Sequence, residues 1–362
     1  MTTEAEIIAR IENGVGRITL NRPKAIHALN RPMCEVMTQA LLAWRDDAAV
    51  MTQALLAWRD DAAVTSVLID HAGERGFCAG GDIRTLAESG AGDASEARAF
   101  FLAEYRLNHL MFDYPKPITA IVDGIVMGGG VGISEPAAIR IATERTTYAM
   151  PETGIGLFPD VGGGWFLPRL PGQTGVWLAL TGARLKAQQT IELGIHTHYV
   201  PSDQIEALKA DIVNGGEPIE AVGKHDMPIP PGFTFERKAI DRLFAFDTVE
   251  EIFAALEADG SDWALAQLAV LKTKSPQSLK VSLRQIRTGA RLTAFADNMA
   301  MEYALGGRMV RTHDFQEGVR AVIVDKDNAP RWSPADLSGV TEATLDALFA
   351  PLPDNEKWTP LA

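Results

Sequence analysis

The stretch Ile118-Thr-Ala-Ile-Val-Asp-Gly-Ile-Val-Met-Gly-Gly-Gly-Val-Gly-Ile-Ser-Glu-Pro-Ala-Ala-Ile-Arg-Ile-Ala142 sets an apolar run, a glycine cluster and a second apolar run in succession. Ile118 to Val122 is apolar, β-branched and too short for a helix, so it reads as a buried strand. The glycines of Met127-Gly-Gly-Gly130 open a helix expected from about Gly130 to Ala138, and Ile139 to Ala142 reads as the next strand. Strand, glycine-opened helix and strand in this order imply parallel pairing with a right-handed crossover.

The alternation continues outward. Ile7 to Ile11 and Val15 to Leu20 flank Asn13-Gly14, the strongest short hairpin signal. Ser66 to Asp70 reads as a buried strand and Ser95 to Met111 as a helix; downstream come helices at Thr174 to Leu180 and Ala187 to Leu193 and a strand at Ile195 to Val200. The fold class is therefore α/β. Residues 214–235 are rich in Gly and Pro and read as a linker or long loop. Beyond it, Thr248 to Leu256, Trp263 to Leu271, Ser278 to Thr288, Arg291 to Val310 and Asp314 to Val322 carry three-to-four apolar spacing. The expected organisation is a core over 1–213, a linker over 214–235 and a helical region with a surface-wrapping tail over 236–362. Residues 37–50 (MTQALLAWRDDAAV) recur letter for letter as 51–64. With no other repeat in the chain, this looks like a recent duplication or an artefact rather than a repeat architecture, and one copy is expected to be surplus.

Composition excludes several functions. A formal net charge of -13 over 362 residues argues against a nucleic-acid groove. No run of about 18 uninterrupted apolar residues is present, so no membrane span is expected. The acidic opening Met1-Thr-Thr-Glu-Ala-Glu6 resembles no export signal, and two cysteines, Cys34 and Cys78, suit a reducing compartment; the expected location is the cytoplasm. His196 and His198 lack a nearby Cys or acidic ligand set, so no metal site is expected, and Gly128-Gly-Gly-Val-Gly132 does not fit dinucleotide spacing.

Two carboxylates, Glu152 and Asp160, stand in Met150-Pro-Glu-Thr-Gly-Ile-Gly-Leu-Phe-Pro-Asp-Val-Gly-Gly-Gly164, among residues with few polar partners. A buried, unpaired charge costs several kcal/mol, so such acids titrate abnormally or act on a substrate; the bland alternative is a loop acid capping a helix. Glu104 lies on the Ser95 to Met111 helix, on the stripe with Phe100, Phe101, Leu107 and Met111, where a snorkelling edge residue is the alternative. Phe77-Cys-Ala-Gly-Gly81-Asp82 and Met127-Gly-Gly-Gly130 each follow a strand and lead into a helix, so their peptide N–H groups can point outward as an oxyanion hole; alone, either is a tight turn.

Asn21-Arg-Pro-Lys-Ala25, Phe77-Cys-Ala-Gly-Gly-Asp-Ile83, Met127-Gly-Gly-Gly130 and Met150-Pro-Glu152 together resemble the crotonase (enoyl-CoA hydratase/isomerase) superfamily. Gly154 to Gly164, Phe166-Leu-Pro-Arg169, Met301-Glu-Tyr303 and His313-Asp-Phe-Gln-Glu-Gly-Val-Arg-Ala-Val322 are similar to its thioester-hydrolase branch. The resemblance implies a crotonase-like spiral of ββα turns with a C-terminal helical region. It further implies hydrolysis of a short-chain 3-hydroxyacyl-CoA thioester, with CoA as part of the substrate and no metal or other cofactor. By motif position Gly81 and Gly129 donate to the thioester oxygen, Glu152 and Asp160 are catalytic, and Glu104 contacts substrate. Hydratases of the superfamily carry an acid three residues after the central glycine; here that place is Gly132. Hydratase or isomerase activity on the same fold, or CoA binding without turnover, are the rival readings. The superfamily commonly forms trimers, so the resemblance leaves a homo-oligomer as one option and the subunit number open.

Overall fold

The computed structural model describes residues 5–45, 64–215, 217–229 and 236–361. Most of the duplicated stretch, 46–63, lies outside the described residues; the first copy's Met37 to Trp44 forms the end of the helix Arg31–Trp44. The chain divides into two compact units whose segments interleave: one comprises Met1–Gly81, Arg106–Tyr148 and Leu185–Phe233, the other Asp82–Tyr105, Ala149–Arg184 and Thr234–Ala362.

The first unit holds the sheets. Its strands are β1 (Ile7–Glu12), β2 (Val15–Leu20), β3 (Ser66–His71), β4 (Gly76–Cys78), β5 (Ile118–Val122), β6 (Ile125–Met127), β7 (Ile139–Ala142), β8 (Thr147–Ala149), β9 (Leu185–Lys186) and β10 (His198–Tyr199). Six of them form a sheet in the order β1-β2-β3-β5-β7-β10, and four a second sheet in the order β4-β6-β8-β9. Only β1 and β2 run antiparallel in the larger sheet, with Glu12 opposite Val15. Asn13 and Gly14 both have positive φ, 49° and 82°, which is what a two-residue hairpin turn of the right twist demands. The remaining pairs, β2 to β3, β3 to β5, β5 to β7 and β7 to β10, are parallel, as the alternating pattern predicts. Every residue of β3 and β5 is buried, in keeping with parallel strands covered on both faces. Leu68, Ile121, Ile139 and Ile141 pack under Ile205, Leu208 and Ile212 of the helix Ile205–Val213.

Three expected elements differ. The helix opened at Met127-Gly-Gly-Gly130 ends at Gly132. Pro136 has no N–H to offer the Gly132 carbonyl, which instead accepts from Asn108 Nδ2 at 3.0 Å, and the Ser134 hydroxyl takes the Gly130 carbonyl at 2.9 Å. The strand expected over Ile195 to Val200 shrinks to β10. The Arg140 guanidinium occupies the Ile195 and Gly194 carbonyls at 2.6 and 3.1 Å, so they are lost to ladder pairing. Within 214–235, Pro218–Gly223 forms a short helix that Pro218 starts at its first position.

The second unit is helical. Ser95–Phe112 begins in it, and Val249–Asp259, Asp262–Leu271, Pro276–Gly289, Phe295–Met309 and His313–Val319 follow the predicted periodicities. Thr248, Ser261, Ser275 and Thr312 cap four of these helices by accepting from the backbone N–H three residues on. After Val319 the chain widens into a π turn over Arg320–Val324.

Candidate active site

Both glycine turns lie in the first unit, where they come together. A Cβ on Gly130 would stand 2.5 Å from the Cys78 carbonyl oxygen, and one on Gly80, at φ 121°, would stand 3.5 Å from the Met127 oxygen and 3.9 Å from the Gly129 nitrogen. At Gly130 only glycine permits this approach, while at Gly80 the spacing is ordinary contact and the positive φ is what favours glycine. Leu29 N–H donates to the Gly80 carbonyl at 2.8 Å in an isolated parallel bridge between Leu29 and Gly81. Such a bridge uses the peptide groups flanking Gly81 and turns Gly81's own N–H away from Leu29. Gly129 is the first residue of the Gly129–Gly132 turn, so its N–H has no intrahelical acceptor. The two amides assigned to a carbonyl oxygen thus sit on adjacent turns, each directed out of the local backbone pairing.

The acids lie in the second unit and form one group. Glu152 opens the 3-10 turn Glu152–Ile155 and is 4% exposed; Asp160 is 6% and Glu104 2% exposed. Glu152 Oε2 and Glu104 Oε1 are buried without a hydrogen-bond partner among the described residues. Burial, followed by the charge of Asp160, pushes both glutamates well above the usual carboxylate range. Asp160 is pushed up to about 6 by burial, against the pull of the Tyr105 hydroxyl, which donates to Oδ2 at 2.7 Å. Each ionised carboxyl opposes ionisation of its neighbours, so the protons of the group leave in separate steps.

Both acid-bearing segments are tightly held. The Glu152 turn rests against the helix His313–Val319. A Cβ on Gly156 (φ 76°) would lie 2.2 Å from the Asp314 oxygen, and one on Gly318 2.4 Å from the Ile155 carbonyl carbon. Ser275 ties the same turn to Asp314: its N–H donates to the Thr153 carbonyl at 3.2 Å and its hydroxyl to Asp314 Oδ2 at 2.5 Å. After Asp160, buried Val161 has φ 52°, a left-handed conformation that costs a β-branched residue about 1–3 kcal/mol and that persists only when its surroundings enforce it.

Two residues of this group carried no assigned role in the sequence reading. Tyr105, fully buried, stands next to Glu104 and reads as one more apolar position of its helix. Glu302, 0% exposed, accepts from the Gly162 and Gly164 amides at 2.8 and 2.9 Å, from Asn298 Nδ2 at 2.9 Å and from Gln285 Nε2 at 3.0 Å. Burial pushes it up to about 8, against the pull of the two amides. The signal for Glu302 was the block Met301-Glu-Tyr303, whose acid sits among apolar and aromatic neighbours.

The sequence profile of the enoyl-CoA hydratase/isomerase family matches residues 15–52 and 48–349. The chain belongs to that family. The two matched segments overlap inside the duplicated stretch 37–64, so the family pattern is interrupted where the extra copy begins. A relative from Danio rerio named "3-hydroxyisobutyryl-CoA hydrolase, mitochondrial" is 43% identical over 97% of this chain and 91% of its own length. One of the same name from Homo sapiens is 41% identical, over 96% and 89%. A crystal structure titled as a carnitinyl-CoA dehydratase from Mycobacterium thermoresistibile superposes with a TM-score of 0.90 at 40% identity, covering 98% of this chain and 99% of the other. The α/β crotonase-like fold expected from the sequence is the fold of this family member. The cytoplasmic location is not upheld, because both hydrolase relatives are named mitochondrial. A compartment address is a separable segment read by receptors, so neither the composition of the folded chain nor its cysteine count fixes it.

Proposed function

We propose that the protein hydrolyses 3-hydroxyisobutyryl-CoA to 3-hydroxyisobutyrate and CoA, a step of valine degradation. The observation that carries this reading is the buried acid group of the second unit, with Glu152 Oε2 unpartnered, in a chain that has Gly132 where a hydratase of the family needs its other acid. The names of the hydrolase relatives support the same substrate. Hydrolysis of a thioester forms a C–O bond, breaks the C–S bond and delivers one proton to the departing sulfur. Glu152, desolvated and hence strongly basic, takes the proton of the attacking water or attacks the carbonyl carbon itself through Oε2. Asp160, held by Tyr105 and raised to about 6, binds the substrate hydroxyl and shares the proton work. Glu104 contacts the acyl group. The Gly81 and Gly129 amides take the oxyanion; one such donor is worth roughly 2.7–4 kcal/mol of barrier. The reading includes acyl-CoA as the small-molecule partner and a homo-oligomeric state, which light scattering reads directly.

The test is thiol release from 3-hydroxyisobutyryl-CoA set beside hydration of crotonyl-CoA by the same preparation. Rapid thiol release with no loss of the enoyl absorbance is expected. Hydration without thiol release would establish the hydratase reading instead, and neither activity would leave a CoA-binding protein.

A further inference from the structure

Glu302 is the buried acid that the proposed chemistry does not use. It sits on the helix Phe295–Met309 with no exposed surface, yet every hydrogen bond it makes runs to the segment after Asp160 or to the side chains that brace that segment. Oε2 accepts from the Gly162 amide and Oε1 from the Gly164 amide, so the two oxygens hold the first and third peptide N–H groups after Val161, while the Gly163 N–H between them donates to the Asp160 carbonyl at 2.8 Å. Gln285 Nε2 donates both to Glu302 Oε1 and, at 2.7 Å, to the carbonyl of Pro159, the residue before Asp160. The backbone is therefore gripped on both sides of the catalytic acid. A Cβ at Gly164 would stand 2.5 Å from Asn298 Oδ1 and 3.0 Å from Gln285 Nε2, so it would push aside the side chains that brace this segment.

We propose that Glu302 is a positioning residue that, with Gln285, holds the Pro159–Gly164 backbone in the strained conformation aiming the Asp160 carboxylate. A side chain needed only to fill this space would be apolar, since a desolvated acid is a costly filler. An acceptor with two oxygens is needed because two outward N–H groups follow a residue at φ 52° and must be fixed together. Glutamine cannot substitute: whether Glu302 is ionised or carries one proton turned aside, both of its oxygens keep a lone pair for an amide, whereas the glutamine NH2 has none and would face one of those N–H groups, donor against donor. The proposal rests on the hydrolase reading above.

The experiment measures kcat and KM for thiol release from 3-hydroxyisobutyryl-CoA by the wild type, Glu302→Gln and Gln285→Met, each well below its unfolding temperature. Misaiming a reacting group by about 1 Å costs about 100-fold, so Glu302→Gln is expected to lose about that in kcat with KM within about threefold. Gln285→Met, which frees Pro159 but leaves both amides bound to Glu302, is expected to lose about 10-fold in kcat. A folded Glu302→Gln with wild-type kcat, or one whose loss lies in KM alone, overturns the proposal. Should Glu302→Gln fail to fold, Gln285→Met decides, and an unchanged kcat overturns it. A wild type that releases no thiol overturns the hydrolase reading and this proposal with it, whereas an active wild type with unaffected variants overturns this proposal alone.

Discussion

Tyr105 offers Asp160 its hydroxyl at 2.7 Å in a buried site, and this bond opposes the upward push that burial exerts on the carboxyl. Removing it in Tyr105→Phe leaves a buried acceptor unmatched. Asp160 then titrates above its present value of about 6. If Asp160 acts as the carboxylate, the acid limb of the kcat–pH profile moves to higher pH and turnover near pH 6 falls. A limb that stays put, or moves down, would remove Asp160 from the proton work. Glu152 and Asp160 were legible in the sequence because an acid among prolines, glycines and apolar residues is expensive to bury without a purpose. Tyr105 was not, since a tyrosine at helical spacing on an apolar stripe has the pattern of core, and only the fold reveals its partner 55 residues away.

At the scale of elements, the helix His313–Val319 is a buttress under the Glu152 turn. Its Gly318 is required by contact and not by backbone freedom: an added Cβ would meet the Ile155 carbonyl carbon at 2.4 Å and oxygen at 2.5 Å, and backbone cannot rotate away. Gly318→Ala should therefore destabilise the fold by about 1–3 kcal/mol in denaturant titration and lower kcat by displacing Glu152. An alanine variant with wild-type stability and kcat would show that this packing does not fix the turn. The elements with strong local signals were readable beforehand: Asn13-Gly14 set a two-residue hairpin, and the short, β-branched, mostly apolar runs of β3 and β5 became parallel strands. The misreadings have different causes. The helix after Gly130 ends early at a local signal, Pro136, with Asn108 taking the freed Gly132 carbonyl, whereas β10 is short because Arg140, 55 residues from Ile195, takes the Ile195 carbonyl, and periodicity carries no record of such long-range competition.

For the molecule as a whole, the acid group exacts stability in return for reactivity. Asp160 is raised in the folded state from an ordinary 3.8 to about 6, so the native protein binds its proton more tightly than the unfolded chain does. Its contribution is fully present below pH 3.8 and is lost as pH rises through 6; at neutral pH the ionised form strains the fold. The neutral isostere Asp160→Asn should be more stable than the wild type by roughly 3 kcal/mol at pH 8, with the gap closing toward pH 4. Urea titrations at pH 4, 6 and 8 check this, and a variant less stable at every pH would contradict it. In the proposed mechanism Glu152 activates the water or attacks the thioester, and Asp160 assists the proton transfer. The most direct measurement is thiol release from 3-hydroxyisobutyryl-CoA by Glu152→Gln, with CoA affinity measured on the same sample. Loss of at least about 1,000-fold in kcat with affinity held within about threefold is predicted; turnover within tenfold of the wild type would contradict it.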